Sequence, residues 1–159
     1  MAFSILGQYY SDFFTKRNEM NTNRFLLAGL VGGIVYLLLG YLVWGILLAD
    51  VMSDPDSAGF MRDTPIWWAL IIGNLAMGLL VAYIFERWAR ISTAETGAVA
   101  GATLGAFMAM TYDFVMYGTS NAISLTGVLI DIVAMTIVLA IVGAVVGWML
   151  GRGADAVTD

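Results

Sequence analysis

The sequence contains no cysteine and no histidine, and only 12 % of its 159 residues are charged. Without cysteine there are no disulfides and no thiolate chemistry; without histidine there is no histidine-ligated haem and little basis for a zinc or copper site. The same two absences remove the usual general bases of serine and cysteine hydrolases. A formal charge of −5 disfavours nucleic acid as a partner. Scarcity of charge excludes still more, because a soluble domain carries roughly twice this fraction to solvate its surface.

What fills the space is apolar. Hydrophobic residues make up 60 % of the chain, and the mean hydropathy is +0.85. They come in runs of about 20 or more, long enough to cross a hydrocarbon core of ~30 Å. The pattern predicts an all-α membrane protein: an antiparallel bundle of four transmembrane helices, preceded by an amphipathic helix in the membrane interface. The predicted spans are about 25–49, 66–85, 97–117 and 123–150, within a bundle of residues 24–151 and ahead of a short polar tail, 152–159.

Residues 1–23 lack the basic start and continuous apolar centre of a signal peptide. Phe3, Leu6, Tyr10, Phe13 and Phe14 instead recur at helical spacing, suited to an interfacial anchor or to docking on a partner subunit. Between the first two spans, four aspartates (Asp50, Asp54, Asp56, Asp63) face one arginine, Arg62, across a turn at Asp54-Pro55-Asp56. Their spacing matches no EF-hand, so the stretch reads as a solvated loop and no metal site is expected. Thr64-Pro65 predicts a capped helix start, with Trp67 and Trp68 at the interface. Ser92-x-x-Glu95 predicts a capping box for the third span.

Six of the seven basic residues (Lys16, Arg17, Arg24, Arg87, Arg90 and Arg152) fall on the side of the termini, and Arg62 alone on the other. The positive-inside rule then makes both termini cytoplasmic. Small residues repeat every fourth place in Gly29 and Gly33, in Gly97, Gly101 and Gly105, and in Gly143 and Gly147. Such stripes let helix backbones approach closely in a bilayer, whether inside the bundle or against another chain.

One polar side chain per span falls in the outer half of the membrane: Tyr41, Asn74, Asp113 and Asp131. At 1.5 Å per residue, Asn74 and Asp131 are expected ~12 Å below the outer ends of their spans, Asp113 ~6 Å below its own, and Tyr41 at comparable depth. Two readings compete. The four groups bond to one another and fix register, or the aspartates bind a proton, cation or substrate, since a charged carboxylate in hydrocarbon is costly. A third reading compares Tyr112-Asp113 and Asp131 with intramembrane aspartyl proteases. That family has Gly-x-Gly-Asp at its second aspartate, where this chain has Gly127-Val128-Leu129-Ile130-Asp131.

From Asn21-Thr22-Asn23-Arg24-Phe25 onward the chain resembles a group of small bacterial four-helix membrane proteins of no assigned activity. The resemblance rests on Gly32-Gly33-Ile34-Val35-Tyr36 with Gly40, on Trp67-Trp68-Ala69-Leu70 with Gly73-Asn74, and on Asp113 with Tyr117 and Thr119-Ser120-Asn121. It also takes in Leu125-Thr126-Gly127 with Asp131, and Val142-Gly143-Ala144-Val145-Val146-Gly147-Trp148. It covers residues 21–150 and implies a bacterial cytoplasmic membrane; proteins of this kind begin near Met20, so the first nineteen residues are a departure.

The reading that follows is a non-enzymatic accessory or structural subunit of a larger membrane assembly, with no cofactor, surrounded by lipid and partnered by another membrane protein or by its own copies. The alternative is a small oligomeric proton- or ion-linked transporter using Asp113 and Asp131. The orientation has a direct test. A cysteine placed at Ser57 is expected to react with an impermeant thiol reagent in intact cells, and one at Ala154 only after lysis; the reverse pattern overturns the orientation.

Overall fold

The computed structural model describes residues 22–52, 62 and 64–152. Four helices in it are long and apolar enough to cross a membrane: α1 (Thr22–Leu47), α2 (Trp67–Ala89), α3 (Ala94–Thr119) and α4 (Leu125–Gly151). A one-turn helix, Ala49–Met52, follows α1. No strand occurs among the described residues. The proposed anchor residues Phe3, Leu6, Tyr10, Phe13 and Phe14, and most of the acidic loop, lie outside them.

Helix ends depart from the predicted ones in ways that the caps explain. α3 starts three residues before Gly97 because Thr93, not Ser92, is its cap: the Thr96 amide donates to Thr93 Oγ1 at 3.2 Å. The predicted box is therefore shifted by one residue, with Thr96 in place of Glu95. Ser124 caps α4 in the same manner, accepting from the Gly127 amide at 3.1 Å. Thr64 does not cap α2. Ile66 stands at the cap position with extended backbone, and its carbonyl accepts from the Ala69 and Leu70 amides.

α1 and α2 both finish in π-helical turns, Val43–Leu47 and Ile84–Ala89. Each π turn inserts a residue into the α pattern and re-aims the side chains beyond it. The second π turn closes on Arg90 in the left-handed region, φ 53°, a conformation costly for a residue with a Cβ.

The helices are held together by backbone contact. α3 lies on α4 along Gly97, Gly101, Gly105, Ala109 and Asp113, all buried. A Cβ added at Gly97 would collide with the Gly143 carbonyl, one at Gly101 with that of Leu139, and one at Gly105 would lie 2.6 Å from that of Met135. Positions rise along one helix as they fall along the other, so the two run in opposite directions. α1 and α2 are joined likewise: a Cβ at Gly33 would lie 2.7 Å from Leu75 Cα, and one at Gly78 would strike the Gly33 amide. The Gly29 and Gly97–Gly105 stripes thus pack within this chain.

α4 also packs against α1, where Gly32 meets Val146. In cross-section the helices follow the order α2, α1, α4, α3, and α4 is the main packing partner of α3 among the described residues. Ala28, Val81, Ala82, Phe85, Leu139, Val142, Val146 and Leu150 form the core, all from α1, α2 and α4, and it runs from the middle of α4 to the end where α1 begins and α4 finishes. At that end Arg24 and Glu86 form an ion pair at 3.1 Å. Hydroxyls on the outer faces satisfy themselves, Thr103, Thr111 and Thr119 each donating to the carbonyl four residues back. That is how a polar group survives where no water is available.

The two kinds of glycine make a testable contrast. Gly101→Ala pushes a methyl into the Leu139 backbone and is expected to cost about 1–3 kcal/mol. Gly73, with nothing within 4 Å of its added Cβ, is expected to accept alanine without loss, gaining up to about 1 kcal/mol of helix propensity. Unfolding of both variants in detergent, followed by near-ultraviolet circular dichroism, checks the pair.

Candidate functional site

Asp113 stands at the end of the small-residue stripe of α3, four residues beyond Ala109, so the stripe that draws α3 onto α4 also carries a carboxyl into the interface. Asp131 faces it from α4. Asp113 is six residues from the last residue of α3, Thr119, and Asp131 six from the first of α4, Leu125. Both therefore lie ~9 Å below their outer helix ends, level with each other rather than at the unequal depths expected.

The two side chains are 2 % and 9 % exposed, and their carboxyls are close enough to interact directly. Asp131 Oδ1 accepts a hydrogen bond from Trp44 Nε1. Asp113 Oδ2 is buried with no hydrogen-bond partner among the described residues. Tyr36 lies within electrostatic reach of Asp131, and its hydroxyl donates to Met135 Sδ at 3.5 Å. The centre of the site is thus a carboxyl pair with an indole donor on one side and an unsatisfied oxygen on the other.

The expected four-membered layer divides in two. Asn74 does not reach the aspartates; its Nδ2 donates to the Leu70 carbonyl of its own helix at 2.7 Å. Tyr41 is 58 % exposed and rests against Trp67, ring centres 6.4 Å apart. These residues line a groove of about 710 Å³ between α1 and α2, together with Tyr36, Gly40 and Trp44. Trp44 belongs to both halves: one edge walls the groove while its N–H reaches Asp131. Trp68 faces outward.

Trp44 and Tyr36 are the site residues that the sequence reading passed over. A signal for Trp44 exists, because an indole N–H buried in a bilayer must find an acceptor and the nearby acceptors are few. Tyr36, Gly40 and Trp44 also recur every fourth place on α1. What the sequence conceals is the π turn from Val43, which changes the phase of the helix just where Trp44 sits.

Comparison with protein-family models, with curated proteins and with solved structures found no match.

The Trp44–Asp131 bond can be measured by a double-mutant cycle in detergent. Trp44→Phe and Asp131→Leu are expected to show a coupling of about 1–2 kcal/mol, the upper range for polar contacts between membrane helices. Tyr41→Phe is expected to show none with Asp131→Leu. A coupling at Tyr41 would restore the four-membered layer.

Proposed function

We propose that this protein is a non-enzymatic, multi-pass protein of a bacterial cytoplasmic membrane whose Asp113–Asp131 pair takes up a proton or small cation, in the manner of a small oligomeric proton- or ion-linked transporter. One observation carries the proposal: two carboxyls from consecutive helices meet in the interior, and one oxygen has no donor among the described residues. In a medium of low dielectric, two carboxylates in contact call for a bridging proton or cation. A purely structural layer would not need them. The glycine contacts of α3 and α4 already set register over three turns, and a pair of amides would satisfy each other at less electrostatic cost.

The proposal includes the finer topology: an antiparallel bundle with cytoplasmic termini and residues 1–23 anchored at the interface. Four helices leave little room for a private pathway, which favours an oligomer. A second reading, an accessory or structural subunit of a larger membrane assembly, is favoured by α3. It packs chiefly on α4, and Phe107, Tyr112 and Val115 face outward. An intramembrane aspartyl hydrolase would use the same two carboxyls, but there the Trp44 N–H occupies an oxygen that would have to activate water.

Asparagine keeps the size of aspartate and cannot titrate. In proteoliposomes, wild-type protein is expected to carry a proton or cation flux that falls at least tenfold in Asp113→Asn or Asp131→Asn, with the melting temperature in detergent retained. Absence of flux in the wild type, or unchanged flux in both variants, returns the pair to a structural role and promotes the subunit reading.

A further inference from the structure

We infer that the groove between α1 and α2 is a binding site for an amphipathic organic cation, a quaternary ammonium or phosphonium with apolar substituents, held by its aromatic wall and neutralised by the carboxyl pair behind Trp44. This deepens the proposed function and rests on it, since the carboxyl pair supplies the counter-charge.

Three features of the groove agree on this ligand chemistry. Its volume, about 710 Å³, lies within the range of small-molecule sites. Its walls include Tyr36, Tyr41, Trp44 and Trp67, and aromatic faces bind cations that are too large or too weakly hydrated for a tight oxygen cage. Its inner wall is Trp44, whose N–H is bonded to Asp131, so the negative centre of the molecule lies one indole away from the cavity.

The wall also argues against other occupants. A fatty acid or anionic headgroup would bring negative charge toward Asp131. A zwitterionic lipid would bring a phosphate with its cation. A bare inorganic cation would leave the aromatic surface unused and would need oxygen ligands, of which the groove lining offers Asn74 and two phenols. An organic cation uses both the rings and the charge.

The exchange balances simply. A cation seated in the groove favours the ionised form of the pair behind Trp44, so the proton that bridges the carboxyls is released to solvent, one for each cation bound. That competition is what links a cation to a proton in the transport reading, without any further group.

Titration of the purified full-length protein in detergent with tetraphenylphosphonium, followed by calorimetry and by proton release in weak buffer, tests the inference. Triphenylphosphine oxide serves as the uncharged control. Saturable binding of the cation with about one proton released is expected, and no saturable binding of the oxide. Trp67→Ala and Tyr41→Leu, both at exposed positions, are each expected to weaken binding about tenfold, and Trp67→Phe to restore most of it. Asp131→Asn is expected to abolish proton release and weaken binding at least tenfold. Equal binding of cation and oxide, wild-type affinity in both aromatic variants, or wild-type affinity in Asp131→Asn would each overturn the assignment. No saturable binding beside a proton or cation flux that persists in liposomes overturns the groove alone. Loss of both overturns the proposed function as well.

Discussion

Inside a bilayer, helices gain nothing by hiding apolar side chains from lipid, so association depends on how closely their surfaces can meet. In this protein that contact is backbone to backbone. The carbonyls of Leu139 and Gly143 occupy the space where a Cβ would stand on Gly101 and Gly97, and the close-packed atoms along three turns supply the dispersion that holds α3 to α4. The remainder follows from this seam. It sets the level at which Asp113 meets Asp131, and α4, so placed, offers Val142 and Val146 to Gly32 of α1. The α1–α2 pair repeats the device with Gly29, Gly33 and Gly78, so the molecule consists of two tight pairs joined by a looser contact.

Much of this was legible in the order of residues. Length and hydropathy locate the four helices to within a few residues, because the ~30 Å requirement is strict and the runs are clean. The stripes at Gly97–Gly105 and Gly143–Gly147 point to close approach, and the structure shows that they meet each other. The two aspartates are conspicuous for the same reason, as isolated charges in apolar runs. Less legible was everything that depends on helix phase. Tyr41 and Trp44 are three residues apart and equally plausible from composition, and the choice between them is made by the π turn beginning at Val43. Asn74 illustrates another limit. Its amide can bond across helices or to the carbonyl four residues back, and sequence cannot say which acceptor is nearer. The caps fail for a smaller reason: Ser92 and Thr93 are both competent, and the chain uses the second.

The chemistry of the site is unusual in its balance. Asp131 is met by an indole N–H, which stabilises negative charge without cancelling it, and by a second carboxyl, which opposes that charge unless a proton or cation lies between them. By contrast Glu86, near the membrane surface, is matched by Arg24. This carboxylate–guanidinium contact thus stands where water is close, whereas on the proposed reading the deeper carboxyls are neutralised by something mobile: a proton, a cation, or each in turn.

The seam between α3 and α4 bears finally on biogenesis. Of the four helices α3 has the lowest hydropathy, 1.3 against 2.7 for α4, since its stripe spends glycine and alanine where other spans carry leucine, and it includes Asp113. An aspartate costs about 2.5–3.5 kcal/mol at a helix centre on insertion scales and less toward an end; with Asp113 six residues from its end and the lowest hydropathy of the four, α3 is the segment least able to leave the translocon alone. Its partner is the helix that the ribosome makes next, across a connection of only five residues, Ser120 to Ser124. The two are thus suited to enter the membrane as a hairpin, with the carboxyls already facing each other and the glycine seam closed before α3 meets lipid. The same residues that fix the finished packing would then also decide the moment at which the third span becomes membrane-embedded.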